Sequence, residues 1–299
     1  MKSINKITLG LLFSISLWGC KESETYDASG SFEAEETIIS SQAGGVLKEF
    51  GIEEGDQLDQ GQWIGYVDSV QLYLKKLQLK SQVVALNGRK PNISLQLAAL
   101  QEELKAAEKD EERITGLVKA QAATAKQLDD IKARVEVIRA QIDAQKSNLN
   151  ITTTGISNDA SPLEIQIAQI EDLLEKSKII NPVQGTVLVK YAEENEMTAV
   201  GKPLYKIANL QSIILRVYIS GDQLSQVKIG QEVTIHTDNG EGGFDQAKGK
   251  VTWINDKAEF TPKTIQTKEE RANMVYAMKI EVPNDGKYKI GMYGEVSFD

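Results

Sequence analysis

Apolar positions along this chain change period twice. From Ile38 to Val67, short β-branched and aromatic runs alternate with glycine-bearing turns, Ala43-Gly44-Gly45 and Glu54-Gly55-Asp56 among them, which predicts small hairpins. After Asp68 the apolar residues fall three, four or seven apart. Val70, Leu74, Leu77 and Val84 predict a helix that stops at Asn87-Gly88-Arg89-Lys90-Pro91. The pattern resumes at Ile93, Leu97, Leu100, Leu104, Ala107, Ile114 and Val118, with Glu111 as a charge in an apolar slot, and pauses between Gln121 and Thr124. A return arm reads Leu128, Ile131, Val135, Ile138, Ile142 and Leu149; a second break is expected from Ile151 to Pro162, and a last helix carries Leu163, Ile167, Ile170 and Leu174. Folding the chain back at the pause sets the first break opposite residues 152–156, so both arms are expected to be interrupted at one level. Alternating steps of three and four with polar outer positions fit an antiparallel two-helix coiled coil. From Leu210 the period returns to two. Ile213–Ile219, Glu232–His236, Lys250–Ile254, Tyr276–Val282 and Glu295–Phe298 read as strands of a small antiparallel barrel or sandwich.

The hairpin-patterned stretch is written twice. Sliding Gln42–Val67 onto Pro182–Ile207 without a gap pairs Gly45 with Gly185, Glu53 with Glu193, Glu54 with Glu194 and Gly61 with Gly201. Gly55 falls on Asn195, and both residue types tolerate the left-handed backbone of a tight turn. Two β half-units separated by a helical hairpin describe a device that spans distance.

The net charge of −9 argues against a nucleic-acid partner, since phosphate binding needs clustered Lys and Arg. Residues 1–20 read as a targeting segment, with Lys2 and Lys6 ahead of the short apolar run Ile7–Trp18. Its end, Leu17-Trp18-Gly19-Cys20, resembles a bacterial lipobox, which assigns Cys20 to lipidation and a membrane anchor. Cys20 is the sole cysteine, so no internal disulfide forms. Residues 21–31 read as a polar leash. His236 is the sole histidine and lies in a strand, where satisfaction by a neighbour explains it better than catalysis. One His and one Cys are too few for a zinc centre. Glu53-Glu54-Gly55-Asp56 and Glu193-Glu194-Asn195-Glu196 lack the spacing of a calcium loop and read as solvated turns. No phosphate-cradling glycine motif is present, and no cofactor is expected.

The two half-units look like the halves of a lipoyl or biotinyl domain. In such domains a modified lysine sits at the hairpin between the halves; here the helical insert occupies that place. A split lipoyl sandwich followed by a barrel resembles the HlyD-like periplasmic adaptors, or membrane fusion proteins, over nearly all of residues 32–299. The resemblance implies an elongated α+β molecule of several domains: a lipoyl/biotinyl-like β-sandwich interrupted by an antiparallel α-helical coiled-coil hairpin, then a small antiparallel β-barrel. The boundaries are a lipoprotein signal peptide at 1–20, leash and first barrel strand at 21–37, and half-units at 38–67 and 180–208. The hairpin takes 68–179, with roots at 68–86 and 162–179 and a tip segment at 92–150, and the barrel 209–299.

Two motifs sharpen what the resemblance implies. Arg113, Ile114, Leu117 and Thr124 sit at the offsets of the Arg, Leu, Leu and Ser by which adaptors dock on an outer-membrane exit duct; Ile114 and Thr124 are conservative departures. The stretch Ala258–Arg271, with Phe260, Thr261, Pro262, Lys263, Thr264, Gln266 and Thr267, looks like the barrel loop of adaptors that partner ABC exporters. The implied role is non-enzymatic. It is that of a lipid-anchored periplasmic adaptor working as a homo-oligomeric ring between an inner-membrane ABC permease and an outer-membrane efflux duct. An RND-type pump adaptor is the nearest alternative; a free-standing ligand-binding lipoprotein and a carrier-type lipoyl protein are alternatives of another class.

Overall fold

The computed structural model describes residues 26–240, 243–260 and 274–298. Its centre is a sandwich of two four-stranded sheets built from both half-units. One sheet orders β2 (Glu36–Ser40), β9 (Pro203–Ala208), β7 (Gly185–Lys190) and β4 (Gln57–Leu58); the other orders β6 (Lys178–Ile180), β5 (Trp63–Val67), β3 (Gly45–Phe50) and β8 (Met197–Thr198). The repeat read from the sequence is reproduced bond for bond. Gly55 N–H donates to the Val187 carbonyl at 2.8 Å and its counterpart Asn195 N–H to the Leu47 carbonyl at 2.7 Å; Gly61 N–H bonds Asn181 and Gly201 N–H bonds Ser41. Gly55 and Asn195 both take the left-handed backbone that the turn demands (φ 96° and 69°). Each half lends a short strand to the other's sheet, so neither closes a core alone. Leu47, Phe50, Ile64 and Val67 pack with Val187, Leu204, Tyr205 and Ile207 in one interior.

The hairpin leaves from Val67 and returns at Ser177, whose carbonyl accepts the Val67 N–H. It comprises α1 (Val70–Asn87), α2 (Ile93–Lys119) and α3 (Ala125–Lys176). At about 1.5 Å per residue α2 projects about 40 Å and α3 about 80 Å. Cross-hairpin ion pairs Arg139–Glu108 (2.8 Å) and Arg134–Glu103 (3.8 Å) confirm the fold-back at residues 121–124.

Two sequence-based expectations for the hairpin fail. The first break exists, but the chain from Ile151 to Pro162 is helical, inside a continuous α3. Leu149, Thr153, Ile156, Ala160 and Leu163 keep an inward stripe running through it, and packing on that stripe outweighs the low helix propensity of the Thr, Asn, Ser and Gly residues. Thr152, Thr153 and Ser157 turn their hydroxyls onto the carbonyls four residues back, at 2.8 to 3.1 Å, instead of competing with the helix. Pro162 and Asn158, the residue whose carbonyl loses its donor, are both exposed, so the missing bond falls on the wet side. The steps from Gln145 to Leu149 and on to Thr153 are both four. This phase shift, a stutter, is how the unbroken arm answers the break in the other.

The second failure concerns α1. Val70, Leu74, Leu77 and Val84 were expected to face α3, yet all are exposed; Leu72, Leu79, Val83 and Leu86 face inward instead, with the stem of Lys76. Helix α1 carries two apolar stripes, and a period alone does not say which one meets the partner.

The barrel closes in the order β10 (Ser212–Ser220), β1 (Ala28–Glu33), β15 (Tyr293–Ser297), β11 (Glu232–Asp238), β12 (Phe244–Ile254) and β14 (Met274–Pro283), with β14 pairing back onto β10. All pairings are antiparallel. Short β13 (Glu259–Phe260) adds to β14. Residues 28–31, taken from the sequence as leash, are therefore part of the wall. Phe32, Leu215, Ile235, Met278 and Ile280 fill the interior, with Phe32 stacked on Tyr288 at 4.7 Å. The barrel joins the sandwich through 34–35 and 209–211, at the end away from the hairpin. Strand β10 runs outward from there, so Ser220, paired with Val275 next to the 261–273 connection, lies at the far end.

Candidate functional site

The hairpin tip is built by two helix caps. Helix α2 ends with Gln121 N–H bonded to the Val118 carbonyl (3.0 Å) and Ala122 N–H to the Leu117 carbonyl (2.8 Å), a Schellman closure. Closure of this kind puts the residue after the cap in the left-handed region, normally a glycine; here it is Gln121, at φ 60°. Thr124 then starts α3. Its hydroxyl accepts the Gln127 N–H at 3.3 Å while Gln127 Oε1 accepts the Thr124 N–H at 2.9 Å, a reciprocal capping box. Replacing Gln121 by glycine is expected to stabilise the tip by about 1 kcal/mol, the cost of a left-handed non-glycine residue. Thermal denaturation followed by helix circular dichroism should show a rise in midpoint.

Of the four tip residues named from the sequence, Arg113, Leu117 and Thr124 are exposed and Ile114 is not. Arg113 is exposed and pairs with Asp110 at 2.8 Å; Leu117, one turn on, leaves 40% of its surface free. Ile114 is half-buried against the returning arm, and the Thr124 hydroxyl is engaged in the cap. The tip thus offers a guanidinium and an isobutyl group on adjacent turns of one rigid helix.

At the far end of the barrel, β13 and β14 pair Phe260 with Met274 and hold the two stems of the 261–273 connection together. Thr261, Pro262, Lys263, Thr264, Gln266 and Thr267 lie outside the described residues, as does the side chain of Phe260. Glu259 anchors the first stem. Its carboxylate accepts from Asn255 Nδ2 at 2.6 Å and pairs with Arg216 at 3.5 Å, and Arg216 lies over the Tyr218 ring at 5.9 Å.

The acidic turns converge on a lysine that sequence reading passed over. Lys190 keeps only 8% of its side chain exposed, with Nζ 2.7 Å from Glu193, 3.2 Å from Glu53 and 5.9 Å from the centre of the Phe50 ring. Hydrogen bonding to Glu193 is the largest effect holding its pKa above the ordinary lysine value. The Glu54 carboxylate accepts the Lys190 N–H at 3.1 Å, and Asp56 accepts the Glu53 N–H at 2.7 Å. These carboxylates tie the two half-units together. The available signal was Lys190 ending a β-branched run where the first copy has Phe50. Among the described residues no group of three or more His, Cys, Asp or Glu side chains is placed to hold a metal ion. His236 is nearly buried, 3.2 Å from the Ser297 hydroxyl through Nε2 and 4.9 Å from the Tyr26 ring. Cys20 and the targeting segment lie outside the described residues, and within them no helix is long and apolar enough to cross a membrane.

Known proteins of the same build exist. No family model matches the chain. A UPF0194 membrane protein of Citrobacter koseri is 27% identical over 291 residues, covering 90% of this chain and 87% of its own. The UPF0194 membrane protein YbhG of Salmonella gallinarum is 27% identical over 301 residues, with the same coverage. Among solved structures, MacA from Actinobacillus actinomycetemcomitans superposes with a TM-score of 0.54 at 21% identity, over 90% of this chain and 76% of that one. The membrane fusion protein Spr0693 from Streptococcus pneumoniae R6 gives 0.51 at 17% identity, over 91% and 97%. The split sandwich, helical hairpin and barrel are shared architecture, and the resemblance to membrane fusion proteins drawn from the sequence holds at the level of the fold.

Proposed function

We propose that this chain, which has the membrane fusion protein fold, is a periplasmic adaptor that joins an inner-membrane exporter, of the ABC type, to an outer-membrane exit duct. The observation that supports this reading is placement at the two poles: the Arg113–Leu117 tip and the paired strand ends Phe260 and Met274, between which residues 261–273 run, sit at opposite ends of one chain. A device that bridges two partners needs its contact surfaces so separated. The N-terminal strand supports the same orientation. Tyr26 emerges at the barrel end that carries the 261–273 connection, so a lipid on Cys20 holds that end within about 20 Å of a membrane at the reach of an extended chain. Arg113 supplies a fixed charge-assisted donor for carbonyls or carboxylates on a duct helix. The barrel loop, with Phe260, Thr261, Pro262, Lys263, Thr264, Gln266 and Thr267, faces the exporter. An RND pump in the exporter's place is the alternative.

Crosslinking in cells followed by affinity purification tests both ends. Wild type is expected to recover an ABC permease and a duct. Arg113→Asp and Leu117→Ser should each lower duct recovery at least tenfold and leave the permease, while Lys263→Glu should do the reverse. Recovery of an RND pump would move the chain to the other exporter class. Recovery of neither partner would leave a free-standing lipoprotein as the better reading.

A further inference from the structure

The sandwich and the barrel meet across a polar cleft of about 400 Å³ beside the 209–211 linker. One wall is the sandwich edge where β4 pairs with β7, lined by Gln57, Asp59, Gln184 and Thr186. The other is the linker with the barrel turn that follows β14, lined by Gln211, Asp285 and Lys289. An asparagine fastens each wall from behind. Asn181 Nδ2 donates to the Asp59 carbonyl at 2.9 Å; Asn284 Nδ2 donates to the Leu210 and Tyr288 carbonyls, both at 3.0 Å, and its Oδ1 accepts the Tyr288 N–H at 2.9 Å. Both walls are therefore held in shape. Yet among the described residues no hydrogen bond or ion pair joins one wall to the other, and the carboxamides of Gln57, Gln184 and Gln211, the Thr186 hydroxyl, the Asp59 carboxylate and the Lys289 ammonium all stand uncommitted around the opening.

We infer that this cleft binds a small, neutral, hydroxyl-rich solute of the disaccharide class, and that the bound solute fastens the barrel to the sandwich. The chemistry of the lining selects that class. A carboxamide and a hydroxyl each donate and accept, and so does every hydroxyl of a sugar, so the two sets of groups satisfy one another whichever way the ligand turns. Apolar ligands find little to cover, since Leu58 is buried and Leu210 half-buried. Charge does not draw an anion in, because Asp59 and Asp285 outnumber Lys289. A metal ion finds no cluster of three acidic or imidazole ligands among the described residues. Clefts of this size at a junction between domains are common ligand sites, and walls already held in shape lower the cost of ordering them on binding. The two units are otherwise joined here by covalent linkers alone, at 34–35 and 209–211. A solute bonded to Gln57 or Gln184 on one side and to Gln211 or Lys289 on the other supplies the missing tie. The inference needs the cleft and its lining, and it does not depend on the adaptor reading.

Isothermal titration of the purified full chain tests it, with maltose, trehalose and diacetylchitobiose as probes and glutamate and spermidine as charged comparisons. At least one disaccharide is expected to bind with a Kd below about 1 mM. Hydrogen exchange in its presence should slow on both walls, at 57–59 and 184–186 and again at 284–289. Gln57 and Gln211 are exposed, so Gln57→Ala with Gln211→Ala should leave the melting temperature unchanged while removing one bonding group from each wall, and should weaken that binding at least about tenfold. Binding that the double variant leaves intact would place the sugar elsewhere on the chain and overturn the site. Protection confined to one wall would refute the fastening of barrel to sandwich. Tighter binding of glutamate or spermidine than of every disaccharide would overturn the choice of a neutral solute, and no heat from any disaccharide would overturn the inference as a whole. All of these outcomes are read on the isolated chain, so they stand whether or not an exporter or a duct is recovered from cells.

Discussion

Gly30→Ala is expected to open the barrel. A methyl group at that position would stand 1.8 Å from the Arg216 carbonyl oxygen, a backbone atom that no side-chain rotation moves. Strand β1 sits between β10 and β15, and Gly30 is paired on both sides, with Val217 and Gly294. To admit the methyl group β1 must move off β10, which loosens Phe32 from its stack on Tyr288. The expected loss is on the order of 3 kcal/mol, at the upper end of overpacking costs. Urea denaturation followed by barrel-sensitive near-ultraviolet dichroism should show it as a lowered midpoint, with the helical signal of the hairpin less affected. Ser29→Ala, an exposed neighbour on the same strand, should change stability by less than about 0.5 kcal/mol.

Gly30 shows where reading the residues themselves ran out, since the first barrel strand within 21–37 came from the family resemblance while residues 21–31 read as leash. The segment 28–33, Ala-Ser-Gly-Ser-Phe-Glu, is short, polar and glycine-bearing, and it earns its place in the wall through partners nearly two hundred residues away or more. By contrast, the half-unit repeat was legible because a tight turn constrains residue type: Gly55, Asn195, Gly61 and Gly201 all sit at positive φ. The fold-back at the tip was legible from a pause in period. The length of α3 was not, since Thr153, Ile156 and Ala160 continue an inward stripe through a stretch that propensity alone marks as a break. Helix α1 misled for a different reason, that its more regular stripe is the outward one. The exposure of Arg113 and Leu117, proposed for docking, was legible because residues near a helix end keep their sequence neighbourhood. Lys190 was missed because its partners Glu53 and Glu193 come from both half-units.

Asn181→Ala is expected to cost the sandwich on the order of 3 kcal/mol, because it strips partners from several buried polar groups at once. Asn181 is fully buried where β6 passes into the second half-unit. Its Nδ2 donates to the carbonyls of Asp59 (2.9 Å) and Val183 (2.6 Å), and its Oδ1 accepts the Tyr205 hydroxyl at 2.9 Å. Its backbone also exchanges bonds with Gln62 and Gly61, so a single residue fastens the first half-unit's turn to the second half-unit's start. Tyr205→Phe removes just the hydroxyl bond and should cost about 1 to 2 kcal/mol. The double variant should lose less than the two singles together, since the bond between them is counted in both. Tyr205 supplies a second readout. Burial pushes its pKa up to about 12, so the folded chain holds a proton that the unfolded chain releases near the ordinary tyrosine value of about 10. Stability is therefore fully present below pH 10 and falls as the pH rises toward 12. In Tyr205→Phe that part of the alkaline decline should vanish. A pH profile of the denaturation midpoint unchanged by Tyr205→Phe, together with an Asn181→Ala variant of wild-type stability, would mean that this buried cluster does not fasten the two half-units.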